Sequence, residues 1–546
     1  MRHRRAFLIA MIALTVGALA FRLPSLGIRP FHGDEAVHAF KFLDLWAQRI
    51  YRYDHNEFHG PTLYYAALPS IWLHGRHSFA SCTESDFRLP IVLFGAAMVL
   101  VIAPLSSGLG KRAIFCAGIL TAISPALVFY SRYYIQETLL AFFTLAMIAS
   151  GWQYSRHLKR RWLLLAGVSA GLMIASKETA VLSFAAVVGA MLLTPVWARL
   201  VEGQAQLSWK TWPIRVATIS IGVALFVACL FISGFGTNHD GPIGVLTGPV
   251  DYLRSYTPWL HRARGASQHV YPWHYYLDIL LWTKSPRGPI YSEALIVILA
   301  IVGALAGLLP HKKRVGRELP PKWSVSESRM FRGSSALVRF LTFYTLILTA
   351  LYSAIPYKTP WCLLSFLCGM ILLAGVGAVA LLQLARSIPV QVIVGVVLAA
   401  GCVQLEVQAY RASYVTFTDP ENPYVYAQPV ADAVNLGARA SDIARYSGTG
   451  PDMVVKIVWI DDFHWPIPWY LRQFKNTGFY HDTSDPAAPL LLASPEFEED
   501  LTKKLDKTHI LTPSFGIRPG VIAQVWVRND VWEKYLKNRP KPKDDD

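Results

Sequence analysis

Long apolar runs alternate with short polar connections along most of the chain. Several runs approach the roughly 20 residues that an α-helix needs to cross a bilayer. Most charged residues lie between the runs rather than inside them. The pattern predicts a polytopic α-helical membrane protein with about eleven transmembrane helices. The predicted spans are residues 6–24, 89–109, 113–131, 138–155, 162–176, 179–196, 213–233, 290–309, 336–355, 361–384 and 388–408.

Two apolar segments allow a second interpretation. The first run, MRHRRAFLIAMIALTVGALAF, resembles a signal peptide, but many spans follow it, so we predict an uncleaved first helix. Residues 61–73 are short for a span and begin at a proline, which favours a helix in the outer interface. If this segment crossed the membrane, every later loop would change sides.

The chain changes character after residue 408. Short β-type runs, MVVKIVWI and VIAQVWVR, are separated there by Pro, Gly and Asp. We therefore predict a transmembrane domain over 1–408 and a small α/β domain over 409–546, which ends in a disordered tail, KNRPKPKDDD. Within the first domain, 25–88 and 234–288 are predicted to be long outer loops.

Composition agrees with a membrane protein, and the placement of charge indicates its orientation. The chain is 53% hydrophobic and only 16% charged, with a formal net charge of +16. A basic protein of this kind could bind nucleic acid, but its basic clusters lie in short connections that the predicted topology places in the cytoplasm. We therefore exclude nucleic acid and predict a multi-pass protein of the inner (plasma) membrane. Its N-terminus is predicted to be cytoplasmic and its C-terminal domain extracytoplasmic.

The same topology brings a set of charged side chains to the outer ends of the helices. Charges kept at membrane depth are candidates for function. Adjacent carboxylates can divide the work of a general base and a cation ligand, and cations beside them can bind a phosphate. Such a set suits transfer from a lipid-borne phosphate. The candidates are Asp34, Glu35, Arg132, Glu137, Lys177, Glu178 and Lys358, with Asp54, Glu57, His59, His269 and His274 from the long loops.

Six segments carrying these residues resemble the GT-C superfamily of integral-membrane glycosyltransferases, in the branch of the protein O-mannosyltransferases and the lipid A aminoarabinose transferase. The segments are GDEAVHA, EFHGPTLYY, RYYIQETLL, ASKETA, SQHVYPWHYYL and PYKTPW, in order over most of 1–408. Within that branch, HGPTLYY, PYKTPW and HWPIPWYLR resemble a subfamily described as flippase-activity-associated. The resemblance implies a GT-C fold with its active site on the extracytoplasmic face.

The resemblance also implies roles for single residues. It makes Asp34 the catalytic or metal-associated acid, with Glu35 beside it and Glu137 as the second acid. Thr138 stands where the family has proline, and His59 stands near the place of a phosphate-binding lysine. We predict catalysis by Asp34, Glu35 and Glu137, and donor-phosphate binding by Lys358, Lys177, Arg132 and His59. A divalent cation (Mg, Mn or Zn) is predicted on Asp34, Glu137, Glu57 and His269.

The predicted function is a glycosyltransferase that moves a sugar from a polyprenyl-phosphate donor to a protein, lipid or glycan acceptor on the extracytoplasmic face. Membrane lipid is predicted as a further partner. Two non-catalytic alternatives stay open: a partner in the translocation of lipid-linked sugars, and a glycan-binding scaffold with a degenerate transferase core. The segment WIDDFHWPIPWYLRQF, residues 459–474, adds a separate question. Asp461, Asp462 and His464 form either a second acidic site or an exposed turn beside a buried aromatic core, and we favour the second.

Overall fold

The protein is described by a computed structural model, which covers residues 2–56, 59–202, 214–237, 244–265, 269–284, 286, 288–309, 335–460 and 464–540. Three residues with predicted roles lie outside the described residues: Glu57, Asp461 and Asp462.

Each of the predicted spans is helical. Six of the described helices are long and apolar enough to cross a membrane, and two more apolar helices are shorter, so the number of crossings stays a prediction. The helices that coincide with the predicted spans are α1 (Arg2–Arg22), α4 (Glu84–Val101) followed by the short α5 (Ser106–Leu109), α6 (Lys111–Ile123) followed by α7 (Pro125–Tyr130), α8 (Glu137–His157), α9 (Arg160–Ile174), α10 (Ala180–Glu202), α11 (Ile214–Ile232), α14 (Ala294–Leu308), α15 (Ser335–Ala354), α16 (Leu364–Leu384) and α17 (Ile388–Tyr410).

The span predicted over 113–131 is broken into α6 and α7. Helix α6 ends at Ile123, and Pro125 begins α7. Proline lacks the N–H that a continuing helix needs but is tolerated in the first turn of a new helix. The Ser124 hydroxyl caps α7 by accepting from the Leu127 amide at 3.4 Å. The sequence pattern did not reveal this break because both halves are apolar.

Helix α16 is the centre of the membrane domain, and 89% of its apolar 18-residue stretch is buried. It packs closely on α14, because Gly303 and Gly377 face each other's helices. A Cβ at Gly377 would lie 1.9 Å from the Leu299 carbonyl oxygen, so no larger residue fits. Small residues allow this approach between helices in a membrane. Helix α17 is the most exposed of these helices, since only 6% of its apolar stretch is buried.

The two long loops contain helices of their own. The first loop forms α2 (Gly33–Gln48) and α3 (Thr62–Leu73), the second of which agrees with the helix predicted over 61–73. The second loop forms α12 (Gly244–Ala263) and α13 (Tyr275–Leu281). The sequence pattern did not predict α12, which contains Pro249 and Pro258. Short strands β1 (Thr283–Lys284) and β2 (Ile290–Tyr291) precede α14.

The C-terminal region is an α/β unit, as predicted. Its five-stranded mixed sheet has the order β4-β3-β5-β7-β6, with β3 parallel to both neighbours. The strands are β3 (Val454–Val458), β4 (Asn476–Tyr480), β5 (Leu490–Ala493), β6 (His509–Arg518) and β7 (Val521–Arg528). The helices are α18 (Ala431–Ser447), α19 (Ile467–Tyr470), α20 (Glu498–Leu505) and α21 (Asn529–Asn538).

This α/β unit packs on the first loop through buried aromatic rings. The Trp469 ring lies 4.5 Å from that of Phe31 and 5.6 Å from that of Phe87. Trp469 Nε1 donates to Glu84 at 2.8 Å, and the Phe31 amide donates to the Tyr470 hydroxyl at 2.8 Å. Trp469 is fully buried, which supports the aromatic-core interpretation of this segment. The unit thereby holds the start of α2 in place.

Candidate active site

Beyond the C-terminal end of α1 lies a cavity of about 340 Å³, enclosed by both long loops and by several helix ends. Four of the predicted site residues line the cavity: Asp34, His59, Glu137 and Lys177. It is also lined by Glu178 and by residues of α12. The cavity therefore gathers residues from segments that are distant along the chain.

Asp34 lies in the first turn of α2, and its side chain is 50% exposed. His32 precedes the helix and caps it, since its Nδ1 accepts from the Asp34 amide at 3.0 Å. The other ring nitrogen of His32 lies 2.9 Å from the Tyr426 carbonyl oxygen. The N-terminal end of a helix favours a negative charge. Asp34 is thus an accessible carboxylate on a fixed backbone.

Glu35 has the opposite environment and does not line the cavity. It is fully buried, and Arg88 donates to both of its oxygens at 2.7 and 2.6 Å. The Tyr134 amide (2.8 Å) and the His32 amide (3.0 Å) add two more donors. Burial raises the pKa of Glu35, but Arg88 outweighs it and lowers the pKa to about 2. This geometry favours a positioning role for Glu35, because its oxygens already have four donors.

Glu137 and Lys177 form a buried ion pair on the cavity wall. Glu137 opens α8, and Lys177 lies in the turn between α9 and α10. Burial lowers the pKa of Lys177, but the Glu137 carboxylate outweighs it and raises the pKa above its ordinary value. Lys177 therefore keeps its positive charge inside the cavity.

A second pair on the same wall joins His59 to Glu178. The His59 Nδ1 lies 2.6 Å from Glu178 Oε2, and the Tyr53 hydroxyl donates to the other oxygen at 2.5 Å. The His59 ring stacks on Trp259 of α12, with 4.8 Å between ring centres. Burial raises the pKa of Glu178, but His59 outweighs it, so the pKa is lowered and the carboxylate stays ionised. The Glu178 carboxylate and the Trp259 ring together fix the position of the His59 imidazole on the cavity wall.

His38 completes the polar wall as a neutral group. Its Nδ1 lies 3.1 Å from the Tyr64 hydroxyl, and its ring centre lies 6.3 Å from that of His59. Burial, together with the nearby His59, lowers the pKa of His38 to about 3. His38 is therefore uncharged at neutral pH.

Lys358 and His269 lie next to the cavity rather than on its wall. The Lys358 amide donates to the His269 carbonyl oxygen at 3.0 Å, and the Lys358 ammonium donates to the Ile355 carbonyl oxygen. The neighbours of Lys358, Tyr357 and Thr359, do line the cavity. Burial lowers the pKa of Lys358.

Arg132 is not brought to the cavity. Its guanidinium donates to the carbonyl oxygens of Arg22, Pro24 (2.7 Å) and Ser25 (3.0 Å), and also to the Tyr414 hydroxyl (2.8 Å). Burial lowers the pKa of Arg132 to about 10. These contacts hold the end of α1, so the geometry favours a structural role for Arg132.

The described residues do not fit a divalent cation. Among them, no group of three or more His, Cys, Asp or Glu side chains could hold a metal ion. Glu137 is engaged with Lys177, and His269 contacts the Tyr426 hydroxyl through Nδ1. A cation on Asp34 and Glu137 would have to displace the ammonium of Lys177. The predicted metal site therefore stays a prediction, and no step of the chemistry is assigned to it.

A family model and several solved structures agree with this architecture. The family model "Dolichyl-phosphate-mannose-protein mannosyltransferase" matches residues 75–231, less than half of the chain. ArnT from Cupriavidus metallidurans bound to undecaprenyl phosphate is similar in structure, with a TM-score of 0.56 and 15% identity over 94% of this chain and 97% of that chain. The Archaeoglobus fulgidus oligosaccharyltransferase complex with Zn and sulfate has a TM-score of 0.54 and 11% identity, over 93% and 73%. The chain has the GT-C fold.

The GT-C assignment confirms the predicted superfamily resemblance and fold class. The apo form of the same ArnT covers 99% of this chain and 100% of its own, at 13% identity and a TM-score of 0.56. No curated protein sequence matches the chain. At these identities the structural likeness concerns the fold, so the chemistry depends on the cavity itself.

Sequence reasoning gave no role to several residues at this GT-C cavity. Glu178 was among the charged residues expected at the outer helix ends, but it was assigned no part in the site. Trp259 and Arg262 come from the unpredicted α12, where the Arg262 guanidinium lies over the Trp259 ring at 4.6 Å. Tyr426 lies 394 positions from His32, and no local pattern reveals such a contact.

Proposed function

We propose that this chain is a glycosyltransferase that moves a sugar from a polyprenyl-phosphate donor to the hydroxyl of an acceptor. The observation that carries the proposal is the mixed lining of the cavity. Polar and charged side chains lie there together with apolar side chains from α10, α12 and the end of α15 with the residue that follows it. The apolar residues are Val181, Leu182, Leu260, Tyr352 and Ile355.

A polyprenyl-phosphate sugar has the same two parts as the cavity. Its isoprenoid chain needs an apolar surface that continues into the membrane, and its phosphate needs cations. The undecaprenyl phosphate bound to the structurally similar ArnT supports a donor of this class. The dolichyl-phosphate-mannose named in the family description supports it independently.

The donor phosphate is proposed to lie against Lys177 and His59, with Arg262 also lining the cavity. Each of the first two side chains has its own buried carboxylate, Glu137 for Lys177 and Glu178 for His59. Glu137 keeps Lys177 charged, and both carboxylates fix the direction of their partners. Preorganised cations stabilise the charge that develops on a leaving phosphate. His59 thus takes the place of the lysine expected before Pro61.

Asp34 is proposed as the general base. The acceptor hydroxyl loses its proton to the Asp34 carboxylate as its oxygen forms a bond to the anomeric carbon of the sugar. The bond between that carbon and the phosphate oxygen breaks, and its electron pair stays on the polyprenyl phosphate. A positioned general base contributes typically about 10²–10⁴-fold to a rate.

The acceptor is proposed to enter between α2 and the C-terminal unit. Arg518, at the end of β6, is close enough to Asp34 for their charges to interact. A Cβ at Gly33 would lie 3.6 Å from Trp465 and 3.9 Å from an Arg518 nitrogen. The C-terminal unit thus borders the entrance beside the proposed base. The basic clusters further support a plasma-membrane protein with this cavity on the extracytoplasmic side.

The test uses purified full-length protein in lipid nanodiscs with radiolabelled polyprenyl-phosphate sugars and a mixture of peptide, lipid and glycan acceptors. We expect transfer by the wild type and its loss in Asp34→Asn. Asp44→Asn is the matched control, because Asp44 lies on the same helix, is half-exposed and forms an ion pair with Lys41 at 3.5 Å. An active Asp34→Asn enzyme would contradict the role of Asp34.

The same assay separates the non-catalytic alternatives. A translocation partner would move the labelled donor between leaflets of a vesicle without cleaving it. A glycan-binding scaffold would bind the acceptor and leave the donor intact. Parallel reactions with EDTA and with added Mn²⁺ establish whether a cation takes part.

A further inference from the structure

A groove runs along α1 on the surface of the membrane domain. Three adjoining cavities form it, and neighbouring cavities share lining residues. The cavity beside Lys111 shares Ala10 and Phe115 with the middle cavity. The middle cavity shares Phe21 and Glu406 with the third cavity, which lies beside Tyr410. We call this surface, between α1, α6, α16 and α17, the α1 groove.

The α1 groove is open because its floor is made of small residues. Ala13, Gly17 and Ala18 of α1 line its middle part. A Cβ added at Gly17 would meet nothing within 4 Å. Helix α17, which forms one border, is largely exposed. The middle of the groove is therefore a mainly apolar channel, with Glu406 also in its lining, that the described part of the chain leaves open.

One end of the α1 groove is basic and lies far from the active cavity. Lys111 and Arg112 line this end together with Gln383 and Gln391. The Lys111 ammonium donates to the His3 carbonyl oxygen at 3.2 Å, which places it at the beginning of α1. The active cavity lies beyond the other end of that helix. The helix from Phe7 to Arg22 spans fifteen residue steps and separates the two ends by about 22 Å.

We propose that the basic end of the α1 groove binds the phosphate of an anionic glycerophospholipid, whose acyl chains lie along the small residues of α1. The cations and amide groups match a phosphodiester headgroup, and the apolar channel matches acyl chains. Basic pockets between transmembrane helices bind anionic lipid headgroups in this way. If a transmembrane helix of a partner occupied the groove instead, the cations of Lys111 and Arg112 would face an apolar surface. This site does not depend on the proposed transferase activity.

The test measures how many lipids the delipidated, purified full-length protein retains, by native mass spectrometry with phosphatidylglycerol or phosphatidylcholine. We expect one tightly held phosphatidylglycerol. Removing two charges in Lys111→Gln/Arg112→Gln is expected to weaken its binding about 30-fold. Lys159→Gln/Arg160→Gln, the same charge change in the connection between α8 and α9, is the matched control and is expected to bind normally.

A second variant tests the channel without altering charge. Gly17→Leu places a side chain into open space and is expected to displace the lipid. Gly222→Leu is its control, since a Cβ at this exposed glycine of α11 also meets nothing within 4 Å. Equal retention of both lipids, or unchanged binding in both groove variants, would overturn the proposal. Stronger retention of undecaprenyl phosphate than of phosphatidylglycerol would overturn it too, because the occupant would then be the carrier lipid.

Discussion

The two sides of α2 show how one short motif serves two purposes. Asp34 and Glu35 are adjacent in the chain, and successive residues of a helix point about 100° apart. Asp34 faces the cavity and is half-exposed, whereas Glu35 points into the protein and is saturated by donors. The difference indicates that the proposed base on one side of α2 is positioned by a fixed framework on the other side. Changes on the two sides should therefore have separable effects.

The largest expected effect is on activity, from the cavity side. Asp34→Asn keeps the shape of the side chain but removes the proposed base. We expect transfer to fall by about 10²–10⁴-fold. The melting temperature in detergent is expected to stay unchanged, because the Asp34 side chain is half-exposed. An equal loss in Asp44→Asn would show that the effect is not specific to this position.

A change on the framework side of α2 is expected to lower the stability of the protein. Glu35→Gln leaves the Arg88 guanidinium without its buried counter-charge, and loss of one partner of a buried pair costs about 3–5 kcal/mol. Thermal unfolding in detergent measures the loss. If a Glu35→Gln protein melted like the wild type yet were inactive, Glu35 would act in the chemistry and the comparison would fail.

The acid stability of the protein gives a second test of the framework side. The pKa of Glu35 is lowered from 4.5 to about 2, so its ionised form stabilises the folded state. This contribution is complete above pH 4.5 and is lost as the pH falls towards 2. It amounts to about 3 kcal/mol at neutral pH. The Glu35→Gln variant should lose less stability than the wild type over this interval, and identical profiles would contradict the assignment.

On the cavity wall, removal of Lys177 alone would leave Glu137 buried without its partner, so both are changed together. Lys177→Gln/Glu137→Gln removes the two charges at once, and such replacements often leave stability nearly unchanged. Hydrogen bonds to charged groups contribute about 1.5–3 kcal/mol. We therefore expect the KM for the donor to rise about 10–100-fold. An unchanged KM with a lower kcat would place the pair away from the donor phosphate.

The smallest expected effect concerns the link between the C-terminal unit and the site. Tyr426→Phe removes the hydroxyl that contacts His269 but keeps the ring. One hydrogen bond is worth about 1 kcal/mol, so activity is expected to fall about fivefold. The backbone contact between Tyr426 and His32 remains in this variant. A loss as large as that of Asp34→Asn would give Tyr426 a direct part in the reaction.

The sequence predicted the helices well because apolar runs report burial in lipid directly. It also brought Asp34, His59, Glu137 and Lys177 together through topology alone. It could not separate Asp34 from Glu35, because packing decides which side of α2 faces the cavity. In the sequence Arg132 looks like a cation of the cavity, yet its guanidinium donates hydrogen bonds to backbone carbonyl oxygens. Such tertiary partners leave no pattern in a single chain.

The most direct test of the central claim is a cryo-electron-microscopy structure of the protein with undecaprenyl phosphate in a nanodisc. The account predicts the phosphate within hydrogen-bonding distance of Lys177 and His59. The isoprenoid chain should then leave along Val181 and Ile355, with Asp34 across the cavity from the phosphate. A phosphate bound elsewhere, with the cavity between Asp34 and Lys177 empty, would contradict the account.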